Sequence, residues 1–302
     1  MKLVKTIAGI TVAAGSIAVS VSAAWAAPLV FSGTGAGATV ALDAFRAAIG
    51  GVKNTAASPQ VGGQREINWD GVKLDGTDVN PNTVVVDPNK TVIIPVDRFK
   101  GQGTLFADPY SVSGDGFASV NPATAGKFPA FTSPNTFVMF DPTAGQFDDR
   151  FIGESFNLAG TSTPAATRGF GAIFVDVQNP GSSSIEYFGR DANGKQFSLG
   201  TFDVPVGAAS GETQFLGVLF DSPAVTEVNL TVGNKALFSF DGSGFQSFGA
   251  EDLAAGVDLA VTDDFVFAEP VQVTGVAEPS TLALALAGAG WLGIRKRRNQ
   301  KT

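Results

Sequence analysis

Short apolar runs separated by turn clusters constrain the fold of this chain more than any other feature of its sequence. Residues 170–177, except for Asp176, and residues 215–220 are apolar on both faces, which is typical of strands covered by a second layer. Residues 225–232 alternate between apolar and polar, which predicts a half-buried strand. Asn193 and Gly194 predict a hairpin between two further runs. We therefore expect an all-β protein, an antiparallel β-sandwich of jelly-roll type, rather than an α/β fold.

One short helix is predicted near the N-terminus, over residues 39–49. Its apolar residues fall mostly on one helical face: Val40, Leu42, Phe45 and Ile49. Gly50 follows and is expected to end the helix. The next stretch, residues 54–137, is rich in loops and is expected to hold further edge strands. Within it, Pro95 predicts that the run over residues 91–96 is an edge strand or ends early. Residues 265–267 form a late run that we expect to pair with a strand far back in the sequence.

The N-terminal segment has the pattern of a secretory signal. Lys2 and Lys5 precede an apolar run over residues 7–21, and small residues follow it. A run of about 15 residues is shorter than the roughly 20 needed to span a bilayer, so a membrane anchor is the less favoured interpretation. We predict a signal peptide over residues 1–26, with Ala27 as the new N-terminus.

The C-terminal segment, residues 276–302, ends in an apolar stretch followed directly by basic residues. Residues 281–294 are predicted to form a transmembrane helix. The basic cluster that follows it consists of Arg295, Lys296, Arg297 and Arg298. Positive charges at the end of an apolar helix stay in the cytoplasm, so this is a stop-transfer pattern that holds the chain in the inner membrane.

The residues before that helix, Ala277, Glu278 and Pro279, give the tail its resemblance. The order of parts resembles the PEP-CTERM sorting tail, in which a Pro-Glu-Pro motif precedes one membrane helix and an arginine-rich end. Ala277 stands where that motif has its first Pro. The resemblance implies export by a Gram-negative bacterium, processing by an exosortase-type sorting enzyme, and an association with exopolysaccharide. It places the protein first in the inner membrane and then at the cell surface or outside the cell.

A second resemblance covers much of the middle region, residues 27–275. Residues 62–72 and 169–177 are similar to segments of a group of secreted bacterial proteins of unassigned activity. This resemblance implies a β-sandwich and lends no catalytic residue.

Charge and composition narrow the possible functions. Residues 27–279 carry thirteen basic and all 28 acidic residues, so their formal charge is −15. Such a surface repels phosphate backbones, which disfavours nucleic acid as a partner and favours cations. The chain has no Cys and no His, which excludes thiol nucleophiles, Ser-His-Asp triads and the usual zinc sites. Carboxylates, Lys, Tyr and hydroxyl groups remain for any chemistry.

The segment around Trp69 is a candidate ligand site. Arg65, Trp69 and Asp70 could stack on a sugar and hydrogen-bond to it. The alternative, which we favour, places Trp69 in the core and pairs Arg65 with Glu66 or Asp70.

We expect no cofactor, with calcium as the one candidate considered, because hard ions such as calcium bind carboxylate, amide and carbonyl oxygens. Asp191, Asn193 and Gly194 resemble half of a calcium loop, although Asn-Gly also specifies a plain hairpin turn. A site assembled from distant residues is the stronger version of this hypothesis. The candidate ligands are Asp176, Asp191, Asn193, Asp263 and Asp264.

Two functions from different classes remain. The first is a non-enzymatic exported protein of the cell surface or extracellular matrix that binds glycan or calcium. The alternative is a carboxylate-dependent glycan hydrolase or lyase, which needs two carboxylates facing a cleft about 5 to 10 Å apart. Adjacent pairs such as Asp263 and Asp264 are expected to point to opposite faces of a strand and to be solvated charges. The missing histidine favours the first function.

Overall fold

A computed structural model describes residues 27–78, 83–139 and 151–273. The predicted signal peptide, the sorting motif, the transmembrane helix and the basic cluster lie outside these residues. Within the described ranges, no helix has both the length and the apolar character needed to cross a membrane.

The described residues form one α-helix and eighteen β-strands. In chain order they are β1 (Leu29–Thr34), α1 (Ala36–Ile49), β2 (Gln64–Ile67), β3 (Val84–Asp87), β4 (Thr91–Ile94), β5 (Thr104–Phe106), β6 (Tyr110–Ser113), β7 (Thr136–Met139), β8 (Phe151–Phe156), β9 (Ala165–Ala166), β10 (Gly169–Val175), β11 (Ser184–Arg190), β12 (Gln196–Asp203), β13 (Thr213–Leu219), β14 (Glu227–Thr231), β15 (Phe238–Phe240), β16 (Phe245–Ser247), β17 (Val261–Ala268) and β18 (Val271–Gln272).

Two antiparallel sheets dominate the described region. Sheet A has the order β1-β13-β10-β17-β7-β6-β4-β3, and β2 also pairs with β17. Sheet B has the order β12-β11-β14-β8-β5. The late strand β17 pairs with β2 through Phe265 opposite Ile67, which confirms the expected pairing far back in the sequence. The all-β, antiparallel character predicted from the sequence is confirmed.

The larger of two apolar cores lies between the sheets. It contains inward-facing residues of both, among them Phe170, Val218 and Phe265 from sheet A and Ile152, Tyr187 and Leu230 from sheet B. The second core lies on the other face of sheet A, under α1: Leu42 and Phe45 pack there with Ile173, Phe215 and Val266. Strands β10 and β13 are covered on both faces, which is why all of β10 and residues 215–219 of β13 are apolar.

The helix begins three residues earlier than predicted and, apart from Val40, buries the predicted face. It buries Ala38, Leu42, Phe45 and Ile49, while Val40 is 70% exposed. The expectation for Val40 was wrong because a residue two positions before Leu42 lies on the far side of an α-helix. Gly50 ends the helix at a positive φ of 138°, and its backbone N–H donates to the carbonyl of Arg46.

The loop-rich stretch holds strands β2 to β6. Strands β3 and β5 lie at sheet edges, as expected, whereas β4 and β6 lie inside sheet A. Strand β4 ends at Ile94, directly before Pro95, and lies between β3 and β6. The early end removes the conflict between a proline and an inner strand.

Candidate functional site

Arg65, one of the predicted ligand-binding residues, is fully buried. Its Nε and Nη2 donate to the two carboxylate oxygens of Glu269 at 2.6 and 2.9 Å. The remaining donors reach the carbonyls of Ala56 and Ser58, both at 2.8 Å, and Oε1 of Gln102 at 3.3 Å. This guanidinium is saturated by the protein and has no donor left for a ligand.

Trp69 is also fully buried. Its indole Nε1 donates to the carbonyl of Asp263 at 2.7 Å, and Phe99, Tyr110 and Phe265 lie against the ring. An enclosed ring offers no face on which a sugar could stack. The favoured interpretation, in which Trp69 belongs to the core, agrees with this placement.

The ion-pair partners predicted for Arg65 were wrong. Glu66 binds Arg46 and Lys53 instead, at 2.8 and 2.5 Å. Asp70 is partly exposed and accepts the backbone N–H of Asn135 at 3.2 Å. The segment therefore has a structural role. Of the three residues of the proposed ligand site, Arg65 and Trp69 are buried and cannot contact a ligand.

Asp263 and Asp264 lie on β17 at a β-bulge. The register between β10 and β17 shifts there, so that these two residues stand opposite the single residue Ile173. A bulge disrupts the regular ladder of a strand pair. Both carboxyl groups consequently reach the hydroxyl of Thr132, at 3.4 Å from Asp263 and 2.8 Å from Asp264. The expectation that these residues point to opposite faces as solvated charges was wrong.

Burial controls the charge of this pair. It raises the pKa of Asp263 to about 8, the charge of Asp264 acts in the same direction, and the N–H of Phe131, at 2.6 Å, opposes them. The pKa of Asp264 is also raised, mainly by burial. The two carboxyl groups share their surroundings and retain a proton near neutral pH, closed off beneath Phe131 and Thr132.

The candidate calcium ligands lie in three separate places. Asp176 follows β10 and accepts the N–H of Gly211 at 2.6 Å. Asp191 accepts the backbone N–H groups of Asn193 and Lys195, at 2.9 and 2.8 Å, as in a plain hairpin turn. In the part of the chain that the structure describes, no three acidic side chains form a group that could hold a metal ion. The predicted calcium site is therefore not assembled.

A groove of about 490 Å³ opens beside that hairpin turn. Its apolar lining consists of Leu105, Pro164, Ala192 and Val273, together with the nearly buried Phe156 and Ala165. Its polar lining consists of Ser155, Asn157, Arg190, Asp191 and Thr226. This volume falls within the range of small-molecule sites, roughly 300 to 1,000 Å³.

The charged groups of the groove are held by the turn itself. Arg190 donates from Nη1 to the carbonyl of Gly194 at 3.1 Å, and its Nη2 lies 3.6 Å from the carboxylate of Glu227. Asp191 is fixed by the two backbone N–H groups described above. A guanidinium, a carboxylate, hydroxyls and an amide thus surround an apolar floor at fixed positions. That combination can hydrogen-bond the hydroxyls of a sugar while its ring lies on the floor.

Glu154 is a residue that the sequence analysis missed. It lies on β8 between Ile152 and Phe156, faces the core between the sheets and is fully buried. The Thr104 hydroxyl lies close enough to lower the pKa of Glu154, but no hydrogen bond from the described residues reaches either carboxylate oxygen. Burial dominates and raises the pKa to about 8. The alternation of β8 carried this signal, because positions 152, 154 and 156 share one face.

Comparisons with protein-family models, curated proteins and solved structures found no match for this chain.

Proposed function

We propose that this chain is an exported, non-enzymatic protein of the cell surface or extracellular matrix, and that its groove binds polysaccharide. The observation that carries the proposal is the groove beside Arg190 and Asp191, which combines an apolar floor with fixed polar groups on a β-sandwich. Ligand sites commonly have this composition. The resemblance of the tail to PEP-CTERM sorting signals supports exopolysaccharide as the natural partner.

The composition of the groove favours binding over hydrolysis. Its described lining contains one carboxylate, Asp191, whereas the usual glycosidase mechanism uses two that face each other. The adjacent carboxyl groups of Asp263 and Asp264 are buried beneath Thr132 and do not face an open cleft. The alternative function, a glycan hydrolase or lyase, predicts new reducing ends or unsaturated products from any polysaccharide that binds.

Filling the groove is expected to weaken binding. Ala192 lines the groove on the exposed hairpin turn, so Ala192→Trp places an indole in the cavity without disturbing the core. We expect a loss of affinity of about tenfold or more, roughly 1.4 kcal/mol, for the best ligand on an array of defined oligosaccharides. Ala209→Trp, at another exposed alanine outside the groove lining, is the matched control and should bind normally. Equal affinities for both variants would locate the ligand elsewhere.

The sorting part of the proposal follows from the ends of the chain. The signal peptide over residues 1–26 directs export, and the tail delays the protein in the inner membrane until an exosortase-type enzyme processes it near Ala277, Glu278 and Pro279. The jelly-roll arrangement of the sandwich belongs to this proposal as well. An antiparallel sandwich with β1 and the late strand β17 in one sheet supports it.

Deleting residues 282–302 is expected to release the protein into the periplasm or medium, because the apolar stretch and its basic cluster are both lost. Cell fractionation with immunoblotting measures the effect. Deletion of residues 299–302 alone leaves Arg295 to Arg298 in place and should preserve sorting. If the full-length and 282–302-deleted proteins fractionate alike, the sorting tail has no such role.

A further inference from the structure

Lys127 and Glu251 form an ion pair away from the groove, and the charges of both act on Asp176; we call these three residues the polar cluster. Nζ of Lys127 contacts Oε1 of Glu251 as an ion pair, and their side chains are 27% and 9% exposed. Asp176 is fully buried and adopts a positive φ of 70° directly after β10. The ion pair joins two segments that lie 124 residues apart in the sequence.

Two carboxylate oxygens of this cluster have no hydrogen-bond partner among the described residues. They are Oδ2 of Asp176 and Oε2 of Glu251, both buried. Burial raises the pKa of Asp176 to about 6, the Glu251 charge raises it further, and the Lys127 charge lowers it. Each group therefore acts on the others, and Asp176 carries a proton for part of the time near neutral pH.

We propose that Lys127 and Glu251 join through an intramolecular isopeptide bond, and that Asp176 relays the proton for the reaction. The contact already places the amine nitrogen against the carboxyl group with which it would react. Positioning of this kind replaces a bimolecular encounter with a unimolecular step. Limited access to water at Glu251 and Asp176 also favours the release of water over hydrolysis.

The reaction needs no external reagent. Nζ of Lys127, as the free amine, attacks the Cδ of Glu251, forming a C–N bond. One C–O bond of the carboxyl group breaks, and its oxygen leaves as water. Asp176 accepts a proton from the nitrogen and gives a proton to the leaving oxygen, so it ends unchanged. The reaction is balanced, because the ammonium group of Lys127 and the carboxylate of Glu251 together contain the atoms of one amide and one water molecule.

Such a bond would suit an exported chain without cysteine, which cannot form a disulfide. A covalent link across 124 residues closes a long loop, and closing long loops restricts the unfolded state most strongly.

The intact mass of the exported full chain tests the proposal. The measured mass should be lower than the mass calculated from the processed sequence by one water molecule, and tandem mass spectrometry should find the peptides of Lys127 and Glu251 joined. Lys127→Arg keeps the charge but should restore the full mass. Because the wild-type chain alone decides the question, a variant that fails to fold does not obscure the result. A wild-type mass without water loss, or a peptide in which Lys127 is joined to Asp176, would overturn the proposal.

The rate of water loss tests whether Asp176 relays the proton. In protein folded for the first time from inclusion bodies, before any bond has formed, Asp176→Asn should lose water about a hundredfold more slowly than the wild type, the usual scale of general acid–base catalysis. Asp221→Asn makes the same substitution at an exposed aspartate outside the cluster; it is the control and should react at the wild-type rate. An unchanged rate in Asp176→Asn would remove Asp176 from the mechanism.

Discussion

Replacing Glu154 with Gln is expected to stabilise the protein by about 3 kcal/mol at pH 7. The folded-state pKa of Glu154 is raised from the ordinary value of 4.5 to about 8, because the carboxyl group is buried and no cation among the described residues lowers its pKa. Its ionisation therefore opposes folding. The free energy of unfolding is highest below pH 4.5 and decreases as pH rises from there through 8. Over this range the unfolding equilibrium constant increases about tenfold for each pH unit.

Urea unfolding of both proteins at pH 5, 7 and 9 measures this effect. The difference in unfolding free energy between Glu154→Gln and the wild type should be small at pH 5 and should grow up to about pH 8. Other buried acids, such as Asp263, contribute equally to both proteins and cancel. Glu186→Gln, on the partly exposed face of β11 with Ser198 as its hydrogen-bond partner, is the matched control and should show no such growth. A constant difference across the pH range would show that Glu154 is charged in the folded protein at all three values.

Replacing Arg65 with Ala is expected to destabilise the protein by about 3 to 5 kcal/mol. The change leaves the carboxylate of Glu269 buried without its cation, and it also frees the carbonyls of Ala56 and Ser58. Glu269 would keep only the donors of Asn54 and Gln60, at 2.8 and 2.9 Å. The loop before β2 would then lose its main attachment to the end of β17.

Chemical denaturation of Arg65→Ala, Glu269→Gln and the double variant measures the loss and its coupling. We expect the double variant to be less destabilised than the sum of the single changes, because removing both partners leaves no unpaired charge. Arg46→Ala removes a partly exposed ion pair to Glu66 and should cost about 1 kcal/mol or less. If Arg65→Ala costs no more than Arg46→Ala, the buried pair is not the attachment described here.

Periodicity predicted the elements of the fold well, because it records which faces are buried. Strands β10 and β13 were recognisable as doubly covered, and β14 as half covered. The same reasoning applied to β8 could have identified Glu154, since Ile152 and Phe156 show which face points inward. What periodicity cannot supply is pairing over long sequence distances. Arg65 meets a partner 204 residues away.

The groove and the carboxyl pair depend on such pairing. Ser155 and Arg190 are distant in sequence, and they reach one groove because β14 lies between β8 and β11 in sheet B. Asp263 and Asp264 share one hydroxyl only because a bulge interrupts β17 opposite Ile173. Bulges and strand order arise from the whole sheet, and neighbouring residues in one sequence do not encode them locally.

Hydrogen–deuterium exchange in the presence of polysaccharide measures directly whether the groove beside Arg190 and Asp191 binds it. The exported protein is compared with and without the best-binding oligosaccharide from the array. If the groove binds polysaccharide, amide exchange should become slower in two segments that line it, residues 155–157 and 190–194, and should not change around Trp69. Protection confined to residues 65–70, or unchanged exchange in both groove segments while the oligosaccharide is bound, would contradict it.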